Sequence, residues 1–205
     1  MRWKFIDKAR QHAGSAIWAC YPHTSKWDAA LALAAGWRNG TPQLALVKAQ
    51  EFGGVKGLVL RAMSCIPVDP AGGSNTLERV LLHWSARQDR SIVICPEGRL
   101  EAVPHWRTGF YILSLVTGVP VTYCWMDYRQ RIMVREAPVW MTGDPSRDLA
   151  VARDLLKDAC GLYPAKASPI CFREDWFIDI ARLERQRNMW RRISFSGSGR
   201  PLVPL

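Results

Sequence analysis

Apolar runs of strand length alternate with helical patterns along most of this chain, and this alternation restricts the possible folds more than any other feature. The pattern predicts strands at 17–21, 44–47, 65–68, 91–95, 121–125 and 131–135, with helices at 25–38, 53–63, 75–88, 108–117 and 146–159. Such alternation predicts an α/β domain whose central sheet is largely parallel or mixed and is flanked by helices. Ligands of such sheets bind at the carboxyl ends of the strands.

Capping residues set the expected helix boundaries, and composition sets the expected domain boundary. Asn39 and Gly40 are expected to end the first helix, Asn75 is a candidate cap for the third, and Asp144 or Ser146 opens the helix near 146. We assign residues 1–172 to one domain. Residues 173–205 are expected to form a basic amphipathic helix at 174–193 and a flexible tail.

The charge balance predicts an anionic partner. The formal net charge is +10, and six arginines against one acid lie between residue 182 and the end. Nucleic acid, a phospholipid surface or a phosphorylated or CoA-like ligand would each fit. The helix at 174–193 either lies on anionic lipid or packs on the domain with a solvated basic face. The ten tryptophans belong either to the core or to a surface that contacts the membrane interface.

Hydropathy and cysteine spacing exclude several classes of protein. No apolar run approaches the roughly 20 residues of a spanning helix, and the basic N-terminal segment lacks an apolar stretch of signal-peptide length. We therefore expect a protein that is soluble or peripheral to a membrane. None of the six cysteines forms a CxxC pair, which predicts no metal site and suggests a reducing compartment.

His23 and Asp28 form the first candidate for chemistry. The histidine follows the strand at 17–21, and the aspartate falls in the first turn of the next helix. A histidine accepts a proton near neutral pH, and a carboxylate on its other ring nitrogen fixes its tautomer. The alternative is purely structural: Thr24 or Ser25 caps the helix while Asp28 complements its dipole.

Three further segments end or begin predicted strands. Residues 94–99, ICPEGR, place Glu97 and Gly98 directly after a strand, where the structural alternative is an ordinary turn with a solvated glutamate. Asp69 follows another strand, so His23, Asp69 and Glu97 are expected to share one edge of the sheet. Residues 119–121, VPV, enter a later strand.

In this order the segments resemble the glycerolipid acyltransferase family, whose type member acylates 1-acylglycerol-3-phosphate, and most of all its short bacterial members. The resemblance covers roughly residues 15–130 and rests on PHTSKWD at 22–28, CIPVDP at 65–70, PEGRL at 96–100, RTGFY at 107–111 and VPV at 119–121.

The resemblance implies an O-acyltransferase of phospholipid biosynthesis without a cofactor. An acyl group would pass from CoA or acyl carrier protein to a lysolipid hydroxyl, with His23 as general base and Asp28 as its orienter. Glu97 and Gly98 would help to position the acceptor. The enzyme would be cytoplasmic and peripheral on the inner face of the membrane.

The chain departs from the family where a basic residue normally holds the acceptor phosphate. Pro70 replaces an arginine of the second motif, and Arg99-Leu100 replaces threonine-arginine in the third. Candidate replacements are Lys26, Lys48, Arg61, Arg99 and Arg107. The acceptor is thus expected to be a lysolipid other than lysophosphatidic acid, an amino-acid-derived lipid or a different hydroxyl.

Two other classes of function stay open at this point. The altered motifs also fit a family member that binds lipid or acyl carrier without transferring an acyl group. Charge and aromatic content fit nucleic-acid binding, but no recognisable module accompanies them, so nucleic acid is not expected as a partner.

Overall fold

The computed structural model describes residues 3–9, 12, 14–38, 40, 41, 43–69 and 73–195, with the side chains of 73–75 and 195 excepted. Within these residues the strands are β1 Lys4–Asp7, β2 Ile17–Tyr21, β3 Gln43–Lys48, β4 Ile66–Val68, β5 Ser91–Ile94, β6 Val121–Asp127 and β7 Ile132–Arg135. The helices are α1 Lys26–Arg38, α2 Gly54–Ala62, α3 Gly73–Ser85, α4 Gly109–Thr117, α5 Pro145–Leu155 and α6 Ile180–Phe195. Short 3-10 helices span Ala49–Phe52 and Pro164–Lys166.

The strands form one mixed sheet in the order β1-β7-β6-β2-β5-β3-β4. The five strands β2 to β6 are parallel, β7 is antiparallel to β6, and β1 pairs in parallel with β7. The α/β fold predicted from the alternation is therefore confirmed. The parallel strands β2 to β6 end at one edge of the sheet, which we call the carboxyl edge.

Side chains alternate between the two faces of the sheet, as strand geometry requires. Trp18 and Cys20 of β2 lie against α1 and Leu60 of α2. Ile17 and Ala19 of the same strand point to the opposite face, which α3, α4, α5 and α6 cover. The two apolar layers fix the sheet between helices and leave its carboxyl edge as the natural position of a site.

Local capping explains where several helices begin and end. Asp144 caps α5, since its carboxylate accepts from the backbone N–H groups of Ser146 and Arg147, which confirms one of the two predicted caps. Gly118 ends α4 in the left-handed conformation, with φ of 72°. Asn39 and the side chain of Asn75, the other predicted boundary residues, lie outside the described part of the structure.

The last helix packs on the domain and begins later than predicted. Its first turn is capped by Asp179, whose carboxylate accepts from the backbone N–H of Arg182 at 2.9 Å. Leu183 and Trp190 are buried, and the Trp190 ring lies 5.6 Å from that of Trp84 on α3. The predicted amphipathic helix thus has its apolar side on the core, while the tail beyond residue 195 lies outside the described residues.

The tryptophans divide between core and surface. Five are buried: Trp18, Trp84, Trp106, Trp125 and Trp190. Three are more than half exposed: Trp27, Trp37 and Trp140. Among the helices of the described residues, none has the length and apolar character needed to cross a membrane.

Candidate active site

His23 lies at the carboxyl edge, two residues beyond the end of β2. Its side chain is 17% exposed, and its Nδ1 atom is 3.5 Å from Oδ2 of Asp28. Nδ1 itself is buried and has no hydrogen-bond partner among the described residues, so the exposed part of the ring lies on its other atoms. The pair is therefore at ion-pair distance without a formed hydrogen bond, as is common in active sites before substrate binds.

The Asp28 carboxylate is almost fully buried and holds the loop that carries His23. Oδ2 accepts from the backbone N–H groups of Thr24 at 2.7 Å and Ser25 at 2.8 Å. Oδ1 accepts from the hydroxyl of Tyr128 at 2.5 Å. The alternative in which Ser25 caps the first helix also holds, because Ser25 Oγ accepts from the backbone N–H of Trp27 at the start of α1. One carboxylate thus stabilises the turn and faces the imidazole.

Glu97 follows β5, the strand beside β2, and is buried with 1% of its surface exposed. Its Oε2 accepts from the backbone N–H of His23, and its Oε1 accepts from that of Ser168 at 2.8 Å. The interpretation as a solvated turn glutamate is therefore wrong. Because both oxygens bind backbone amides, the Glu97 side chain positions the His23 loop.

Gly98 and Arg107 are in direct contact beside Glu97. Gly98 has φ of 67°, and a Cβ built there would lie 2.7 Å from Nε of Arg107. The backbone N–H of Arg107 also donates to the carbonyl of Pro96 at 2.8 Å. Any larger residue at Gly98 would displace the Arg107 side chain and strain the turn. Arg107, one of the predicted acceptor-binding cations, therefore lies beside Glu97. A second, Arg99, is exposed on the same turn as Gly98.

The two predicted lysines lie at the same edge but differ in their distance from His23. Lys26 is the first residue of α1, and Lys48 ends β3, the second strand from β2. Both side chains are exposed, and together with Lys56, which has the largest effect, they lower the pKa of Glu51. These lysines therefore lie in a basic region near Glu51 at the carboxyl edge. The guanidinium of Arg61, by contrast, lies over the Phe52 ring.

The pKa of His23 reflects opposing influences. Burial of the imidazole lowers the pKa, whereas Cys95 and the Asp28 carboxylate raise it, and the net shift is upward. Burial raises the pKa of the Cys95 thiol, and the neighbouring His23 only partly offsets that increase. The thiol is thus protonated near neutral pH, so Asp28 is the neighbouring negative charge that favours the imidazolium.

Asp69 shares the edge but not the site. It is exposed after β4, three strands away from β2 in the sheet order. At the roughly 4.8 Å between neighbouring strands, this separates it from His23 by more than one side-chain length. Pro70, the residue that departs from the second motif, lies outside the described part of the chain.

Sequence reasoning missed Tyr128 and Ser168. Tyr128 follows β6 and packs against Trp3, with ring centroids 4.9 Å apart. Ser168 lies in an irregular segment, where its Oγ accepts from Val103 and its carbonyl accepts from the Tyr21 hydroxyl. No local pattern marked either residue, because each reaches the site through contacts between distant parts of the chain.

Metal ligation has no obvious location in this arrangement. The described residues contain no group of three or more histidine, cysteine, aspartate or glutamate side chains close enough to hold an ion. All six cysteines are free thiols. The candidate reactive groups of the site are therefore the His23 imidazole, the Asp28 carboxylate and the neighbouring lysine and arginine side chains.

Comparisons with known proteins give no independent assignment. No family model matches this chain, and a search of curated proteins found no significant match. The geometry of the site is therefore the basis for a functional proposal.

Proposed function

We propose that this protein is an acyltransferase that moves a fatty acyl group from a thioester of CoA or acyl carrier protein to a hydroxyl of a lysophospholipid-like acceptor. The observation that carries the proposal is the partly exposed His23 imidazole with its Nδ1 3.5 Å from the buried Asp28 carboxylate. This pair lies at the carboxyl edge of a largely parallel sheet, in the chain order of motifs that resembles the glycerolipid acyltransferases.

The chemistry follows from the orientation of the imidazole. With Nδ1 towards Asp28, Nε2 is the nitrogen that accepts the proton of the acceptor hydroxyl. The hydroxyl oxygen forms a bond to the thioester carbonyl carbon, and the carbon–sulfur bond then breaks. The imidazolium returns its proton to the departing thiolate, so His23 ends the cycle neutral and the products are an oxygen ester and a free thiol.

The acceptor would be held by the cations beside this pair. The Arg107 side chain packs against Gly98, and Arg99 is exposed on the same turn. Lys26 follows His23 by three residues. A planar guanidinium binds phosphate in a bidentate manner, so a shifted arginine selects a differently placed anion. We therefore propose an acceptor other than lysophosphatidic acid, used by a peripheral enzyme on the inner face of the membrane.

A panel assay tests the reaction and the acceptor together. Purified protein is incubated with acyl-CoA or acyl carrier protein thioester and a set of lysolipids, and products are identified by mass spectrometry. We expect an esterified lipid that depends on His23, with His83→Ala as the control because His83 is an exposed histidine on α3. A strong preference for lysophosphatidic acid would contradict the altered acceptor.

A second candidate is a protein that binds lipid or acyl carrier without catalysing transfer. Its support is the departure at Pro70 and Leu100, which removes two arginines expected from the resemblance. Thioester that stays intact with every acceptor, together with measurable lipid binding, would favour this candidate over the transferase.

A further inference from the structure

The outer side of α2 is apolar and exposed. Val55, Leu58 and Val59 have 78%, 66% and 51% of their surfaces exposed. They occupy positions i, i+3 and i+4 of the helix, the spacing that normally faces a protein core. Here the same stripe faces outward, away from the sheet.

Contacts on the inner side fix this orientation. Gly57 is buried, and a Cβ built on it would lie 1.9 Å from the carbonyl oxygen of Phe52. Leu60 is partly buried in the layer between α1, α2 and the sheet. Because Gly57 allows this close approach, α2 cannot rotate its apolar stripe inward without a clash.

The exposed stripe lies on the same sheet face and at the same edge as the start of α1. Trp27, the second residue of α1, is 68% exposed, whereas the next residue, Asp28, is buried. Both helices begin at the carboxyl edge, after β2 and after the 3-10 helix that follows β3. Apolar side chains of both helices are therefore exposed at the carboxyl edge, where His23 also lies.

Cations border these apolar side chains. With about 3.6 residues per turn, Lys56 and Arg61 fall on opposite flanks of the α2 stripe. Lys26 and Lys48 are exposed at the carboxyl edge, and the acid among them, Glu51, pairs with Lys56. We call this region the docking surface; it comprises Trp27, Val55, Leu58 and Val59 with Lys26, Lys48, Lys56 and Arg61.

We propose that the docking surface binds the surface of an anionic phospholipid bilayer. Exposed apolar side chains flanked by lysine and arginine fit the boundary between headgroups and acyl chains, where the cations reach anionic headgroups. A second copy of the chain fits less well, because a two-fold contact would bring this basic region against itself.

The docking surface would also bring the proposed lysolipid acceptor from the bilayer to His23. Because Trp27 lies only four residues after His23, docking through Trp27 and α2 turns the carboxyl edge towards the bilayer. A lysolipid then reaches His23 while its acyl chain remains near the membrane. The choice of partner rests on the proposed function, although the binding itself needs no catalysis.

Vesicle co-sedimentation of the full chain tests this inference. Vesicles of phosphatidylcholine containing about one-third phosphatidylglycerol are compared with phosphatidylcholine alone. The double variant Leu58→Ser/Val59→Ser should lower the partition coefficient on anionic vesicles by roughly tenfold. Leu82→Ser is the matched control, since Leu82 is 52% exposed on α3 across the sheet, and it should stay within about twofold.

The outcomes separate this inference from the proposed function. Binding is measured without acyl donor, so an inactive protein that needs Leu58 and Val59 for vesicle binding supports docking while refuting catalysis. An active protein whose vesicle binding is unchanged in the double variant overturns docking alone. Docking is also overturned if the wild type does not bind anionic vesicles, or if Phe177→Ser rather than the double variant abolishes binding.

Discussion

The Asp28 carboxylate fixes the start of α1 and faces the His23 imidazole at the same time. Its Oδ2 accepts two backbone N–H groups and lies 3.5 Å from Nδ1 of His23. A carboxylate held in this way cannot move away from the imidazole without breaking the turn. The orientation of the His23 imidazole is therefore built into the local fold.

The raised pKa of His23 predicts the direction of the pH dependence. A general base must be neutral, so the rate of the proposed acyl transfer should rise with pH through one ionisation above the roughly 6.5 of free histidine. Asp28→Asn removes the negative charge that favours the imidazolium while keeping an oxygen for Thr24 and Ser25. This variant should move the rising limb to lower pH.

Initial rates from about pH 6 to about pH 10 measure that limb. His83→Ala serves as the control, because its imidazole lies on α3 away from the site and its profile should match the wild type. A limb that does not move in Asp28→Asn would show that Asp28 has no electrostatic influence on the base.

Glu97 should contribute to stability as well as to the geometry of the site. Glu97→Ala leaves the backbone N–H groups of His23 and Ser168 without their acceptor, which costs about 2 to 5 kcal/mol. Urea unfolding measures the loss. Glu101→Ala is the matched control, because the exposed Glu101 forms a surface ion pair with Lys166 and its loss should change stability by less than about 0.5 kcal/mol.

Equal stabilities of Glu97→Ala and Glu101→Ala would refute the positioning role of Glu97. A stable but slow Glu97→Ala protein would instead indicate that the side chain acts on substrate directly.

Sequence distance decided which parts of the site could be predicted. His23 and Asp28 lie within one strand-to-helix connection, so their proximity follows from local structure. The contact of Tyr128 with Asp28 spans 100 residues, and that of Ser168 with Glu97 spans 71. Such contacts depend on strand order and loop paths that no local pattern encodes.

Among the elements, the strongly apolar ones were predicted most accurately. β2 was predicted at its observed bounds, and α1, α2 and α4 within one residue at each end. β1 was missed because its four residues, KFID, are polar at both ends and pair only with β7 at the rim of the sheet. The start of α6 was placed six residues early because the apolar Trp176 and Phe177 extended the apparent helical pattern across its cap, Asp179.

The packing of α6 gives a prediction at this scale. Trp190→Ala should lower the free energy of unfolding by about 3 to 5 kcal/mol, because the indole is buried against Trp84. Phe177→Ala removes a 77% exposed aromatic residue and should be nearly neutral. Thermal or urea unfolding compares the two variants, and a Trp190→Ala protein as stable as Phe177→Ala would contradict the packing of α6 on the core.

This packing also changes how the basic segment must be tested. Deleting residues 174–205 would uncover the core around Leu183 and Trp190, so any lost lipid binding would be ambiguous. Substitution of the exposed arginines on α6 keeps the core intact. The cations of the docking surface, beside α1 and α2, do not belong to α6, so they can be tested separately from its arginines.

Across the whole molecule, the sheet lies between two layers of helices. The face with α3, α4, α5 and α6 holds the larger core, whereas the face with α1 and α2 carries the proposed docking surface. The carboxyl edge joins them at His23. The α/β class followed from the sequence, but the outward side of α2 did not, because its spacing is the one expected of a buried stripe.

The central claim is that His23 is the base of an acyl transfer, and the most direct measurement is the rate of ester formation by wild type and His23→Ala. Both proteins receive the same acyl thioester and the acceptor found in the panel, and free thiol and acylated lipid are quantified together. We predict equal amounts of thiol and ester from the wild type and a loss of at least about 100-fold in His23→Ala with unchanged folding. A His23→Ala protein that forms ester within about threefold of the wild-type rate would contradict the account.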